Sequence, residues 1–214
     1  MKNIVTGAVV VGAMLAAGNA AADMGDMKPY VGVDYYHVMM KGKKSIDLPG
    51  FGNVDLTKAL PKSYPGASIY AGIKFMENFG AELGADFSKK KSATVTDGVD
   101  TVKNEVKRNG GHLDLVGFWP LNDCFNLIGS LGAGMAKPKF TTTFNNVGVP
   151  VSSKTEMFAR IGAGASYMLT DMFGLRGKIN WENTSRLKAN IANTGEFKPF
   201  KDTVSFTVGA FAQF

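Results

Sequence analysis

Two-residue alternation of apolar and polar side chains recurs along this chain and constrains its fold more than any other feature. In the last segment Val204, Phe206, Val208, Ala210, Ala212 and Phe214 share one face. Thr203, Ser205, Thr207, Gly209 and Gln213 take the other, where Phe211 is the single apolar exception. Side chains reverse face at every residue only in an extended strand, so this period describes strands whose two faces meet different surroundings. The same pattern governs Ala67–Phe75, Phe79–Phe87, Met157–Tyr167 and Phe173–Trp181. It holds around Leu113–Trp119 and Phe125–Met135 with apolar intruders such as Val116 and Ile128. With a first strand near Pro29–Met40 and a last near Phe200–Phe214, eight strands are predicted.

The connections fall into two classes. Glu77-Asn78, Pro120-Leu121-Asn122-Asp123 and Thr170-Asp171-Met172 are tight links, leading into Phe79, Phe125 and Phe173. The other four, roughly 41–63, 88–108, 137–155 and 184–202, read as long loops. An even number of strands of about ten residues, with short turns at one end and long loops at the other, fits an antiparallel up-and-down barrel spanning a bacterial outer membrane. A water-soluble barrel would put the polar set outside. Here that set is dominated by glycine and small residues, too sparse for a solvated surface. The apolar set carries large aromatics towards its ends: Phe75, Phe79, Trp119, Phe125, Phe173 and Phe214 at the short-turn side, Phe87 and Trp181 at the other. Two aromatic belts of this kind flank a lipid-facing band.

The start of the chain reads differently. Lys2, the apolar stretch Ile4–Ala17 and the small residues Ala20-Ala21-Ala22 have the layout of a secretory signal cleaved before Asp23, leaving 23–214 as one barrel domain. Beyond it no window of 18 apolar residues suggests a membrane helix. The single cysteine, Cys124, excludes an intrachain disulfide and a Cys-rich metal site.

Strand number, turn asymmetry and the closing Phe214 together resemble the eight-stranded outer-membrane β-barrel superfamily: the OmpA transmembrane domain, OmpX and the opacity-type surface proteins. The resemblance covers about 28–214 and does not include the periplasmic domain of OmpA. It implies an all-β transmembrane barrel in the bacterial outer membrane. It also implies that Phe206, Val208 and Phe214 form the insertion signal read by the barrel-assembly machinery.

If the apolar set faces lipid, Asp34, Lys74, Glu82, Asp86, Asp114, Arg160, Arg176, Lys178 and Glu182 face the lumen. Isolated charges there would each cost several kcal/mol, so a network of ion pairs is expected. Such a network either plugs the barrel or acts as a gate, with Arg176 or Arg160 exchanging between Glu82 and Asp86; the family resemblance implies a gate of that type. Glycines 132, 134, 162 and 164 sit inward, with Tyr36, Tyr70 and Phe158 as candidates to fill the space they leave.

An enzyme would need a base, usually histidine, within reach of a nucleophile. His37 has no serine or acid two residues away on its face. His112 shares its face with Asp114, but no hydroxyl can be placed beside it from sequence. No enzyme activity is expected, no group of acids and histidines has metal-ligand spacing, and no cofactor is implied.

Charge is segregated. The four long connections hold eighteen bases and seven acids, densest at Lys41, Lys43, Lys44 and at Lys89, Lys90, Lys91. Such rims attract anions. The expected partners are outer-membrane lipid and lipopolysaccharide, with host-cell surface proteins or sulfated glycans beyond them, and no nucleic acid. The expected role is membrane integrity plus adhesin-like surface contact, the alternatives being a narrow gated pore for small ions and, third, a lipid A-modifying enzyme.

Overall fold

The computed structural model describes residues 27–42, 45–48, 52–55, 63–97, 100–144, 147–153, 155–183, 189–191, 195–197 and 200–214. The signal-like segment 1–22, Lys43 and Lys44 lie outside the described residues, as does the side chain of Lys41.

Eight antiparallel strands close into a barrel. They are β1 (Lys28–Gly42), β4 (Ser63–Met76), β5 (Phe79–Ser88), β7 (Asp100–Pro120), β8 (Phe125–Phe144), β10 (Glu156–Met168), β11 (Phe173–Asn183) and β14 (Phe200–Gln213). Each pairs with the next, and β14 pairs with β1 to complete the ring. Closure leaves no stave with an unpaired edge inside the bilayer, the condition for strands to cross lipid at all. The remaining strands lie beyond the staves: β2 (Ser45–Leu48), β3 (Gly52–Asp55), β6 (Lys91–Asp97), β9 (Val147–Ser153), β12 (Ala189–Ile191) and β13 (Gly195–Phe197).

Side-chain direction follows the sequence period. Leu83, Leu113, Leu115, Leu131, Ile161, Ile179 and Val208 point outward and are exposed, whereas Asp34, Glu82, Asp114 and Glu182 point inward and are sealed. An apolar exterior around a charged interior is the reverse of a water-soluble barrel and requires lipid outside.

Two of the short links show why their residues suit them. The Asn122 side-chain oxygen accepts from the backbone N–H groups of Cys124 and Phe125, at 3.0 and 2.8 Å. The Thr170 hydroxyl oxygen accepts from those of Met172 and Phe173, at 3.3 and 3.0 Å. Such side-chain bonds replace the backbone pairs that a reversal breaks.

The long connections are a correction. Much of 88–108 and 137–155 is strand, not loop. β6 pairs with the upper part of β7, while β7 and β8 stay in unshifted register from Pro120↔Asn126 up to Val102↔Phe144. The series continues outward through β9, β12 and β13. Above the membrane no lipid selects apolar residues for the outward face, which carries Lys103, Glu105, Lys107, Lys137 and Lys139, so these strands lack the apolar–polar alternation that marks the staves.

Candidate functional site: a filled lumen and a basic extracellular sheet

The inward residues form three layers. At the short-turn end Tyr30, Tyr70, Val116, Phe118 and Ile128 make an apolar cluster against which Phe211 packs. Tyr30 meets Tyr70, Phe118 and Phe211 edge-on, with centroids 6.2, 6.3 and 6.5 Å apart. The apolar residues that interrupt the alternation are thus the plug itself. The pocket beside the plug, lined by Glu82 and Arg176 on one side and by Asn126, Met168 and Gln213 towards the short turns, offers about 20 Å³, room for roughly one water.

The middle layer centres on Arg176. Its Nε and Nη2 donate to Asp34 Oδ2 at 3.1 and 2.8 Å, and Nη1 donates to Glu82 Oε2 at 2.5 Å. The guanidinium lies 3.2 Å from the centre of the Tyr70 ring. Lys178 Nζ stands between Glu82 and Asp114, 3.7 and 3.6 Å from them. Arg160 approaches Asp114 at 3.5 Å. One step higher, His112 Nδ1 lies 3.2 Å from Asp86 Oδ2.

The top layer contains a base that the sequence reading assigned to a loop. Arg108 is 3 % exposed and faces inward. It donates to Glu182 Oε2 at 2.6 Å and to the Tyr36 hydroxyl at 2.9 Å, with Phe158 under its guanidinium. The signal was present: Arg108 continues the inward series Asp114, His112, Gly110 down β7. Lys74 sits lower, 4.2 Å over the Phe118 ring. Eight of the nine acids and bases named from the sequence are buried in the interior and Lys74 is half-buried at the short-turn mouth; with Arg108 the bases equal the acids in number.

Glycines make this density possible. Gly32, Gly72, Gly84, Gly132 and Gly134 each lie under a large side chain from a neighbouring strand: Tyr70, Tyr30, His112, Asp114 and Phe158. A Cβ at any of them would overlap that neighbour.

Of the two carboxylates named for the expected gate, Glu82 is held by Arg176 and Asp86 lies against His112. Arg176 also holds Asp34, and an exchange of Arg176 onto Asp86 would have to displace the imidazole. The structure also brings together what sequence spacing did not. Glu82 and Asp114 face each other across β5 and β7, with His112 one inward position above, so their ligand atoms lie within 4.8 Å of one another. The donor set suits a divalent cation, but Lys178 already places its ammonium between the two carboxylates. Ser68 hydrogen-bonds to Asp86. The acid thus stands between that hydroxyl and His112, which is not the order a histidine-activated serine needs. His37 lies on the outward face, stacked on Tyr35.

The basic segments rise above the barrel. Lys89, Lys90 and Lys91 are all exposed. Glu105 forms ion pairs with Lys90 and, at 3.2 Å, with Lys103. Hydrogen bonds from these two lysines hold its carboxyl below the usual range.

A closed eight-stranded ring with an apolar exterior and a charged lumen is matched by the family model described as outer membrane protein beta-barrel domain, over residues 7–214. The chain belongs to that family. It is a protein of the bacterial outer membrane. Among solved structures it is similar to the outer membrane protein OprG of Pseudomonas aeruginosa, with 14% identity, a TM-score of 0.62, and 87% of this chain and 95% of that one covered. It is also similar to Ail, the attachment invasion locus protein of Yersinia pestis, solved in complex with the heparin analogue sucrose octasulfate: 16% identity, TM-score 0.51, 88% and 99% covered. A major outer membrane protein of Thermus thermophilus aligns at 12% identity and TM-score 0.52, covering 88% and 99%. No curated protein matches the sequence. At these identities the likeness is one of fold.

Proposed function

We propose that this barrel is a closed outer-membrane anchor that supports membrane integrity and presents a basic sheet to acidic surfaces, in the manner of an adhesin. The observation that carries the reading is the filled lumen: with rings below, ion pairs in the middle and Arg108 on top, the chemistry left available to a partner is outside. There, lysines outnumber acids on an exposed sheet, and clefts or rims of one sign concentrate counter-ions. Lipopolysaccharide and sulfated glycans are the anions such a surface meets. The like-folded Ail was solved with a sulfated sugar, which makes heparin the first probe to use. A narrow gated pore is the second reading; it rests on Arg176, the group whose release would uncouple Asp34 from Glu82.

The test is retention on immobilised heparin of the full protein in lipid discs, beside K89Q/K90Q/K91Q. Roughly 1 kcal/mol per lysine near an anionic surface implies at least tenfold weaker retention for the variant. Equal retention would remove the adhesin-like reading, provided both proteins show the same heat-modifiable barrel on a gel.

A further inference from the structure

The outward face of β7 and β8 carries a strip of lysines at a defined height. From the row Trp119↔Leu127 to the row Asn109↔Lys137 each strand advances ten residues without a register shift. At about 3.3 Å per residue and a tilt of about 40°, that climb is about 25 Å, the height of the apolar band of such a barrel. Phe87, an exposed aromatic of the upper belt, pairs with Asn109 and so marks the same level. Lys137 therefore stands at the upper edge of the band. Two residues higher, about 5 Å along the membrane normal, Lys107 and Lys139 face each other directly. Lys89 follows two residues after Phe87.

Like charges opposite each other across a strand pair are unfavourable unless an anion lies between them. Lys107, Lys137 and Lys139 are all exposed and, among the described residues, no carboxylate pairs with them. Glu105 is engaged by Lys90 and Lys103 one row further out. The strip looks sideways, along the barrel wall, and not up into the medium. What lies beside a barrel wall just above the apolar band is the phosphorylated headgroup layer of the outer leaflet.

We propose that Lys107, Lys137 and Lys139 form a binding site for the phosphates of lipid A in the protein's own membrane. The inference deepens the lipopolysaccharide contact proposed above and does not depend on binding of sulfated glycans. Lys137 takes the phosphate nearest the acyl chains, while Leu131 and Met135 below it on β8 lie against those chains. Lys107 and Lys139 clamp anionic oxygen between them.

The full protein, in lipid discs doped with diphosphoryl lipid A, is tested by native mass spectrometry for lipid A that stays bound, with dephosphorylated lipid A as the control. The wild type is expected to keep the phosphorylated lipid and release the control. K107Q/K139Q is expected to bind it about 30-fold more weakly, from two lysine–headgroup attractions lost. Because the substitution also removes a like-charge pair, its unfolding midpoint should match or exceed that of the wild type, so a loss of lipid cannot be put down to misfolding. E105Q, which frees Lys90 and Lys103, should strengthen retention. Retention independent of phosphate, or unchanged in K107Q/K139Q, overturns the proposal. The double variant should still be held by heparin through Lys89–Lys91, so the two readings can fail separately.

Discussion

Each ionised side chain in the lumen depends on a particular neighbour. Arg176 touches two carboxylates and an aromatic face, all nearly or fully buried. Replacing it with alanine removes the guanidinium paired with Asp34 and leaves Glu82 with Lys178 alone. Removal of one member of a buried pair costs about 3–5 kcal/mol. Arg176→Ala should therefore lower the unfolding free energy of the barrel in lipid by that amount, read as a lower urea midpoint, whereas Lys91→Ala, at an exposed position, should leave the midpoint unchanged. An equal midpoint for both would mean that the network contributes nothing. Which residues face inward was readable from alternation alone. Which acid meets which base was not, because the partners come from strands as far apart in sequence as Asp34 and Arg176.

The staves and their extensions depend on different contacts. The β5–β7 ladder ends at Phe87↔Asn109. Beyond that row β6 pairs with β7 alone, so the tip of this hairpin does not help to close the ring. Replacing residues 94–103 with a two-residue Asn-Gly turn, which keeps Ala93 opposite Asn104, should leave refolding and heat-modifiability intact; failure to refold would show that the extracellular sheet is needed for closure. The same division explains why sequence reasoning took these segments for loops. Inside the bilayer, strands declare themselves by alternation, since lipid and lumen select opposite residues. In water, Thr-Thr-Thr-Phe or Ala-Thr-Val-Thr can be strand without any such signature, and only pairing with a neighbour makes it so. Arg108 was misplaced for that reason, lying just beyond the stretch where alternation is easy to see.

For the whole molecule the question is whether water can pass. A chain of Tyr30, Tyr70, Phe118 and Phe211 crosses the lumen below Arg176, and the pocket beside it has room for about one water. Bilayer recordings of the refolded wild type should show no resolvable single-channel openings. Reproducible openings that change in Arg176→Ala would promote the gated pore over the closed anchor. By itself the sequence determined the eight strands, the lipid-facing surface, the end at which short turns lie and the inward set of charges. All of these follow from local alternation, which each strand expresses without knowing its neighbours. Only the tertiary structure decided that aromatic side chains from several strands meet across the lumen, that Lys178 stands between Glu82 and Asp114, that Arg108 caps the network, and that three lysines share one strip of wall. Those properties depend on register, and register is set when the ring closes, as bulky side chains settle over the glycines opposite them.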